Sequence, residues 1–330
     1  MGLTAWLVLH AGVSVVMTWL ALVYARRRNM VDLPGERRSH SVPTPRGGGI
    51  GIACALLAGS LVAVATGAVP ALETGCFVGG LLLVAGVGWI DDHRPLSPWL
   101  RLAVQCVAGG LLAWGLHGAE GRWEWALLTA ALVPVLVNVW NFMDGIDGLA
   151  ATQALLAAMA FAWLAPGTAW IALAFGAAVA GFLPFNFPRA RIFLGDVGSG
   201  TLGYALAALG SMAAWERNWM PAMLLLLPLS AFLVDASLTL AKRMLRGERW
   251  WQPHTSHVYQ SWVKAGRSHA FVTFVYVAFS LAAIIIALSI DGMAPWLAGG
   301  GTVLWFVGAI LGWLRLDRRL CSGKRTEEEA

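Results

Sequence analysis

The chain has 330 residues, of which 58% are hydrophobic, and it carries 23 basic and 18 acidic side chains, so that only 12% is charged. An ordinary soluble domain is about 25% charged, which excludes a water-soluble globule as well as a disordered chain, a disulfide scaffold or a secreted domain. The composition is that of an integral membrane protein, rich in glycine (38) and tryptophan (18), residues favoured in membrane helices and at their interfaces.

Apolar runs long enough to cross a bilayer predict spans, in chain order, over about 3–24, 47–67, 73–90, 98–117, 124–142, 148–165, 168–186, 197–214, 220–242, 270–290 and 295–314. The first run has no basic residue before it and is too long for a cleaved signal, so it reads as a retained span. Breaks fall at Gly67 to Pro70, Pro95 with Pro98, Pro166-Gly167, and Asp291 to Pro295. The expected fold is therefore all-α and polytopic, with about eleven transmembrane helices of about 20 residues each. Too little chain is left for a second soluble domain, so residues 1–330 read as one membrane domain. With the N-terminus outside, 21 of the 23 Lys and Arg residues fall in inner loops and only Arg122 and Arg217 fall outside. The positive-inside rule thus predicts an outer N-terminus and a cytosolic C-terminus. No basic run is interleaved with aromatics in a soluble module, so nucleic acid is not an expected partner. Cys54, Cys76, Cys106 and Cys321 show neither metal-site spacing nor a paired framework.

With charge this scarce, its placement is informative. Asp91 and Asp92, Asp144 and Asp147, and Asp196 all sit at inner ends of predicted spans, where carboxylates are costly and mark function. In Gly88-Trp-Ile-Asp-Asp-His-Arg94, adjacent carboxylates repel unless a cation or a shared proton lies between them. Arg101 and Gln105 follow one turn apart, with Arg101 suited to a phosphate or to the interface. In Asn138-Val-Trp-Asn-Phe-Met-Asp-Gly-Ile-Asp-Gly148, Asn138 and Asn141 share one helical spacing, and Asp144 and Asp147 another. Such oxygen donors suit magnesium, whereas a full calcium loop is missing. Asp196, within Phe193-Leu-Gly-Asp-Val-Gly-Ser199, precedes small residues at a predicted helix start, where free N–H groups favour an anion. The loop from Asp32 through His40 to Arg46 and Gly47–Gly49 offers basic residues and a glycine turn for a phosphate. The longest inner loop, about 243–269, holds Trp250, Trp251, His254, His257, Tyr259 and His269. Its histidines lack the further soft ligands of a zinc site and read as hydrogen-bonding groups for phosphate or sugar. The tryptophans read as interfacial, and Asp235, inside a span, has an open role.

Taken in order, the Pro45-Arg-Gly-Gly48 loop, Asp91-Asp92, Asn141-Phe-Met-Asp-Gly-Ile-Asp-Gly148 and Phe193-Leu-Gly-Asp-Val-Gly-Ser199 resemble the polyprenyl-phosphate N-acetylhexosamine-1-phosphate transferases, glycosyltransferase family 4. The resemblance runs from Asp32 to about Gln260. It implies a multi-pass enzyme of the bacterial cytoplasmic (inner) membrane. That enzyme would transfer sugar-1-phosphate from a UDP-N-acetylhexosamine to undecaprenyl phosphate, releasing UMP and initiating an O-antigen, capsule or cell wall polymer. By resemblance, Asn141 and Asp196 would bind magnesium, with manganese as an alternative. Asp91, Asp92 and His257 would be catalytic. His40, Arg46, Arg101, Asn138, Asp144, Asp147 and His254 would bind substrate. The resemblance allows a homodimer and implies contact with membrane lipid. Thr255 stands where related loops carry an arginine; either Arg249 or Arg267 replaces that contact, or the donor specificity differs. Direct attack by the lipid phosphate is favoured over a phospho-enzyme, because a phosphate monoester is already a competent nucleophile. Two rivals remain at this point. A cation-coupled transporter would distribute its acids along a path through the bilayer, and a CDP-alcohol phosphotransferase would carry one contiguous motif.

Overall fold

In the computed structural model, which describes residues 2–33, 35, 42–118, 121–218, 222–249, 251–252 and 254–328, the predicted spans become helices. They are α1 (Leu3–Arg27), α2 (Ile50–Ala65), α3 (Ala71–His93), α4 (Pro98–His117), α5 (Trp123–Met143), α6 (Leu149–Leu164), α7 (Ala169–Asn186) and α8 (Gly195–Arg217). They continue with α9 (Ser230–Leu245), preceded by a 3₁₀ segment Met223–Leu229, a short α10 (Val258–Lys264), α11 (His269–Ile290) and α12 (Pro295–Glu328). Among the described residues, eight helices are long and apolar enough to cross a membrane, while α2 and α6 are shorter apolar helices. Among the described residues, the one departure from an all-α chain is a two-residue antiparallel pair, β1 (Val31–Asp32) with β2 (Thr44–Pro45), in register Val31 to Pro45 and Asp32 to Thr44. It closes the loop that carries Arg46.

Helix α8 sits at the centre and explains its own composition. Every residue from Val197 to Ser211 is buried, enclosed mainly by α3 and α5 with α2, α6 and α7. A helix surrounded by protein instead of lipid gains little from large apolar side chains and much from close backbone approach. Hence its glycines. A Cβ on Gly203 would lie 2.5 Å from the Val137 Cα of α5, and one on Gly88 of α3 would lie 2.5 Å from the Asp196 carbonyl oxygen. The same logic joins α4 to α5. Pro134 has no N–H for the Ala130 carbonyl, and Gly109 packs so tightly there that a Cβ would come 2.5 Å from that oxygen.

The Gly47–Gly49 run serves this packing too, which corrects the expectation of a phosphate cradle. Gly48 N–H donates to Phe193 O and Gly49 N–H to Leu194 O, both at 2.9 Å, so these amides are already taken. A Cβ on Gly49 would stand 2.1 Å from the Gly198 Cα. Gly49→Ala is therefore expected to separate α2 from α8 and destabilise the protein by about 1–3 kcal/mol, read as a lowered thermal midpoint in detergent. Gly67→Ala at a loop tip where a Cβ meets nothing, although at φ +66°, serves as the comparison and should cost less.

Candidate active site

The ends of α3, α5 and α8 meet the histidine loop around a cleft of about 680 Å³. Its walls carry Arg46, Asp91, Asp92, Arg101, Asn141, Asp144, Asp196, His254 and His257. Nine of the residues singled out in the sequence thus come together from six separate segments.

The centre of the cleft is a guanidinium between two carboxylates. Arg101 Nη1, on the first turn of α4, donates to Asp196 Oδ2 at 2.8 Å and to Asp91 Oδ2 at 3.1 Å. Asp91 Oδ1 also accepts from Leu96 N–H at 2.5 Å, which fixes the turn between α3 and α4. The guanidinium between them offsets the repulsion of acids brought together from two helices.

Asp92 plays a different part from its neighbour. It is 3% exposed and accepts from Asp196 N–H at 3.1 Å and Val197 N–H at 3.2 Å. A carboxylate from α3 therefore caps the N-terminus of α8, where orphan N–H groups and the helix dipole favour negative charge. This corrects one expectation. The N–H groups of Asp196 and Val197 are not free for an anion, because Asp92 holds them, and Asp92 caps α8 while also lining the cleft. Arg46 supports it, donating from Nη2 to the Asp92 carbonyl, with Nε 3.9 Å from Oδ1. Gly195 adopts φ +74°, and a Cβ there would fall 2.6 Å from Asp92 Oδ2, so only glycine admits the cap.

Asn141 donates from Nδ2 to the buried Ser199 Oγ at 3.2 Å, a bond that does not engage its carbonyl oxygen, so that oxygen could serve as a ligand atom. Helix α5 ends at Met143, and Gly148, at φ +73°, starts α6. Between them the half-buried Asp144 lines the cleft. Desolvation, with the Asp92 charge second, pushes its carboxyl up to about 8, so a cation binding there displaces a proton. Among the described residues no three His, Cys, Asp or Glu side chains gather closely enough to hold a metal by themselves. The donor set of two carboxylates and one amide oxygen suits magnesium completed by substrate phosphates.

The histidine loop closes the cleft. His254 Nδ1 and Ser256 Oγ are 2.9 Å apart. Desolvation, followed by the charges of His257 and Arg243, lowers His254 to about 4, so it meets a ligand as a neutral imidazole. Thr255 is engaged by Lys264, whose Nζ reaches its hydroxyl and, at 3.3 Å, its carbonyl. Lys264 is thus the cation beside Thr255, whereas Arg267 lies over the Phe271 ring.

A family model for glycosyl transferase family 4 matches residues 74–214, which carry Asp91, Asp92, Arg101, Asn141, Asp144 and Asp196. The decaprenyl-phosphate N-acetylglucosaminephosphotransferase of Mycobacterium leprae is 31% identical over 312 residues, covering 81% of this chain and 77% of its own. The chain belongs to glycosyl transferase family 4. A probable undecaprenyl-phosphate N-acetylglucosaminyl 1-phosphate transferase of Bacillus subtilis is 27% identical, covering 82% and 81% of the two chains. A phospho-N-acetylmuramoyl-pentapeptide-transferase of Heliobacterium modesticaldum is 33% identical over 55% of this chain and 64% of its own. As a family 4 member with eight apolar helices of spanning length among its described residues, the protein is a multi-pass membrane protein.

Two residues expected to bind substrate lie elsewhere in this family 4 chain. Asn138 does not line the cleft; its Nδ2 donates to Gln105 Oε1 at 2.6 Å and to Pro134 O at 2.8 Å, joining α5 to α4. Asp147 Oδ1 pairs with His269 Nδ1 at 3.3 Å, and its carbonyl accepts from Thr273 Oγ1 at 3.0 Å, so it ties the 144–148 turn to α11. In both cases identical local spacing hides opposite surroundings. His40 lies outside the described residues. The cleft is also lined by Asn186, on which the sequence reading was silent, and by Tyr259, which it named only as a member of the histidine loop. Asn186 Oδ1 accepts from Gly148 N–H at 2.9 Å while its Nδ2 donates to Ile192 O at 3.1 Å. Tyr259 Oη donates to Phe142 O at 3.0 Å, over a Gly145 whose Cβ would be 2.2 Å from that oxygen. The adjacent glycine was the available signal for Tyr259. Asn186 carried none.

Proposed function

We propose that this protein transfers N-acetylhexosamine-1-phosphate from a UDP-sugar to undecaprenyl or a similar polyprenyl phosphate. The products are a polyprenyl diphosphate-linked sugar and UMP, at the inner face of a bacterial cytoplasmic membrane. The observation that carries the reading is the pair of carboxylates, Asp91 and Asp196, drawn from two helices onto one arginine inside a cleft with Asn141 and Asp144. Relatives named for N-acetylglucosamine phosphate transfer to polyprenyl phosphates support it over most of the chain. The transporter reading is disfavoured, since, Asp235 apart, the acids inside or at the inner ends of the spans gather at the cleft instead of along a path.

In this reading an oxygen of the lipid phosphate forms a bond to the donor's β-phosphorus. The bond from that phosphorus to the bridging oxygen breaks, and UMP leaves with its electron pair. Two polyanions must meet, so positioning and charge neutralisation supply most of the rate. Arg101 lies between Asp91 and Asp196 and offers its remaining N–H groups to phosphate oxygens. Asp92 holds the start of α8 and with it Asp196. His254, neutral, hydrogen-bonds sugar or phosphate. Asn141 Oδ1, Asp196 and Asp144 are the oxygen donors for magnesium, with manganese as a substitute; when bound, the ion offsets diphosphate charge and steadies the leaving UMP.

The test is UMP release by purified protein given undecaprenyl phosphate, magnesium and a panel of UDP-N-acetylhexosamines headed by UDP-N-acetylglucosamine. Release is expected from at least one donor, lost with EDTA and restored by magnesium or manganese. A folded protein that releases UMP from none of them would refute the proposal.

A further inference from the structure

Among the described residues, the most deeply buried carboxylate is not in the cleft but behind it. Asp235 of α9 is 1% exposed and gathers donors from four elements. Its Oδ1 accepts from Val258 N–H at 3.1 Å, Trp313 Nε1 of α12 at 3.0 Å and Thr239 Oγ1 at 3.2 Å. Its Oδ2 accepts from Tyr276 Oη of α11 at 2.6 Å and Tyr259 N–H at 3.5 Å. Val258 and Tyr259 open α10, and the residue before them is His257. One buried carboxylate thus pins the end of the histidine loop to the helical frame.

It also faces the imidazole. His257 Nδ1 lies 3.7 Å from Asp235 Oδ1 with no closer hydrogen-bond partner, and the Gln260 N–H of the α10 capping box also faces the His257 side chain. The ring is held flat against Phe142, at 26° and 6.3 Å, and against Tyr259, at 20° and 5.8 Å. It is only 2% exposed, yet it lines the cleft. With Nδ1 on the carboxylate side, Nε2 is the nitrogen left for a ligand. A carboxylate beside one imidazole nitrogen keeps the proton there and turns the other nitrogen into an acceptor.

We infer that Asp235 is a positioning residue for His257: it holds the Nδ1–H tautomer and so presents Nε2 to the cleft as a hydrogen-bond acceptor for a donor group of the substrate, a sugar hydroxyl or amide N–H or a monoprotonated phosphate. The inference rests on the transfer reaction proposed above only for the substrate, not for the tautomer. A purely structural anchor would need the two α10 amides and the α11 and α12 donors, but would not place the imidazole edge toward the same oxygen. Substitution by asparagine separates the two roles. The amide oxygen still accepts from the α10 start, while the new –NH₂ donates toward Nδ1 and favours the opposite tautomer.

The experiment uses the full chain labelled with ¹⁵N-histidine in nanodiscs, with the His257 resonances assigned by their loss in His257→Gln. The parent is expected to show a protonated, pyrrole-type Nδ1 and a pyridine-type Nε2, and Asp235→Asn to invert or average this pattern. In the UMP assay Asp235→Asn should lower kcat by about 10²–10⁴-fold with little change in KM, and should cost nothing further in a His257→Gln background. A parent His257 protonated on Nε2, or a tautomer unmoved by Asp235→Asn, overturns the inference. The parent spectrum needs no change at Asp235, so it decides the matter even if Asp235→Asn misfolds. It also stands apart from turnover: a protein that accepts no UDP-sugar sinks the transferase reading and leaves the spectra to judge Asp235.

Discussion

Asp196→Asn is expected to remove turnover, by at least about 10²–10³-fold, while leaving the thermal midpoint near that of the parent. The fold is indifferent to the change because the bond that anchors this residue uses its main chain: Asp196 N–H donates to Asp92, and asparagine keeps that N–H. Its side chain is partly exposed in the cleft and pairs with Arg101 at 2.8 Å. Asparagine deletes one of the two charges that hold Arg101, leaving Asp91, and deletes with it the charge that would hold a divalent ion. Near-normal activity in this variant would remove Asp196 from the chemistry.

Asp92→Ala is expected to do the reverse in its first effect. Two buried N–H groups at the start of α8 lose their acceptor, which costs about 1–3 kcal/mol, and Arg46 loses the carboxylate beside its Nε. The thermal midpoint should fall, and activity should fall with it, because the start of α8 carries Asp196. Asp92→Asn keeps one acceptor oxygen and should lie between the parent and Asp92→Ala in both measurements. A fully stable but inactive Asp92→Ala would show that Asp92 acts on substrate directly.

The contrast between these adjacent aspartates marks the limit of what local sequence conveys. The spans were legible because runs such as 269–290 and 3–27 leave no other way to hide apolar surface. The gathering of Asp91, Asn141, Asp144 and Asp196 was legible because charge at membrane-helix ends is too costly to be idle. Nothing local distinguishes Asp91, which meets Arg101, from Asp92, which caps a helix starting over a hundred residues later. Asn138 and Asp147 fail for the same reason. Each repeats the spacing of a cleft residue but turns toward Gln105 or His269. The glycines at 47–49 advertise close approach without saying to what, and the partner proves to be the backbone around Phe193–Gly198 rather than phosphate. Asp235, left open by its position within a span, gains a role only when Val258, Tyr276 and Trp313 converge on it.

The central claim, that the cleft moves a sugar together with its phosphate, is tested most directly by following that phosphorus. Protein supplied with undecaprenyl phosphate, magnesium and UDP-N-acetylglucosamine labelled with ³²P in the β-phosphate should transfer the label to the lipid phase, with unlabelled UMP left in the water. Label remaining in water as UDP while sugar enters the lipid would mean plain glycosyl transfer, and would contradict the account.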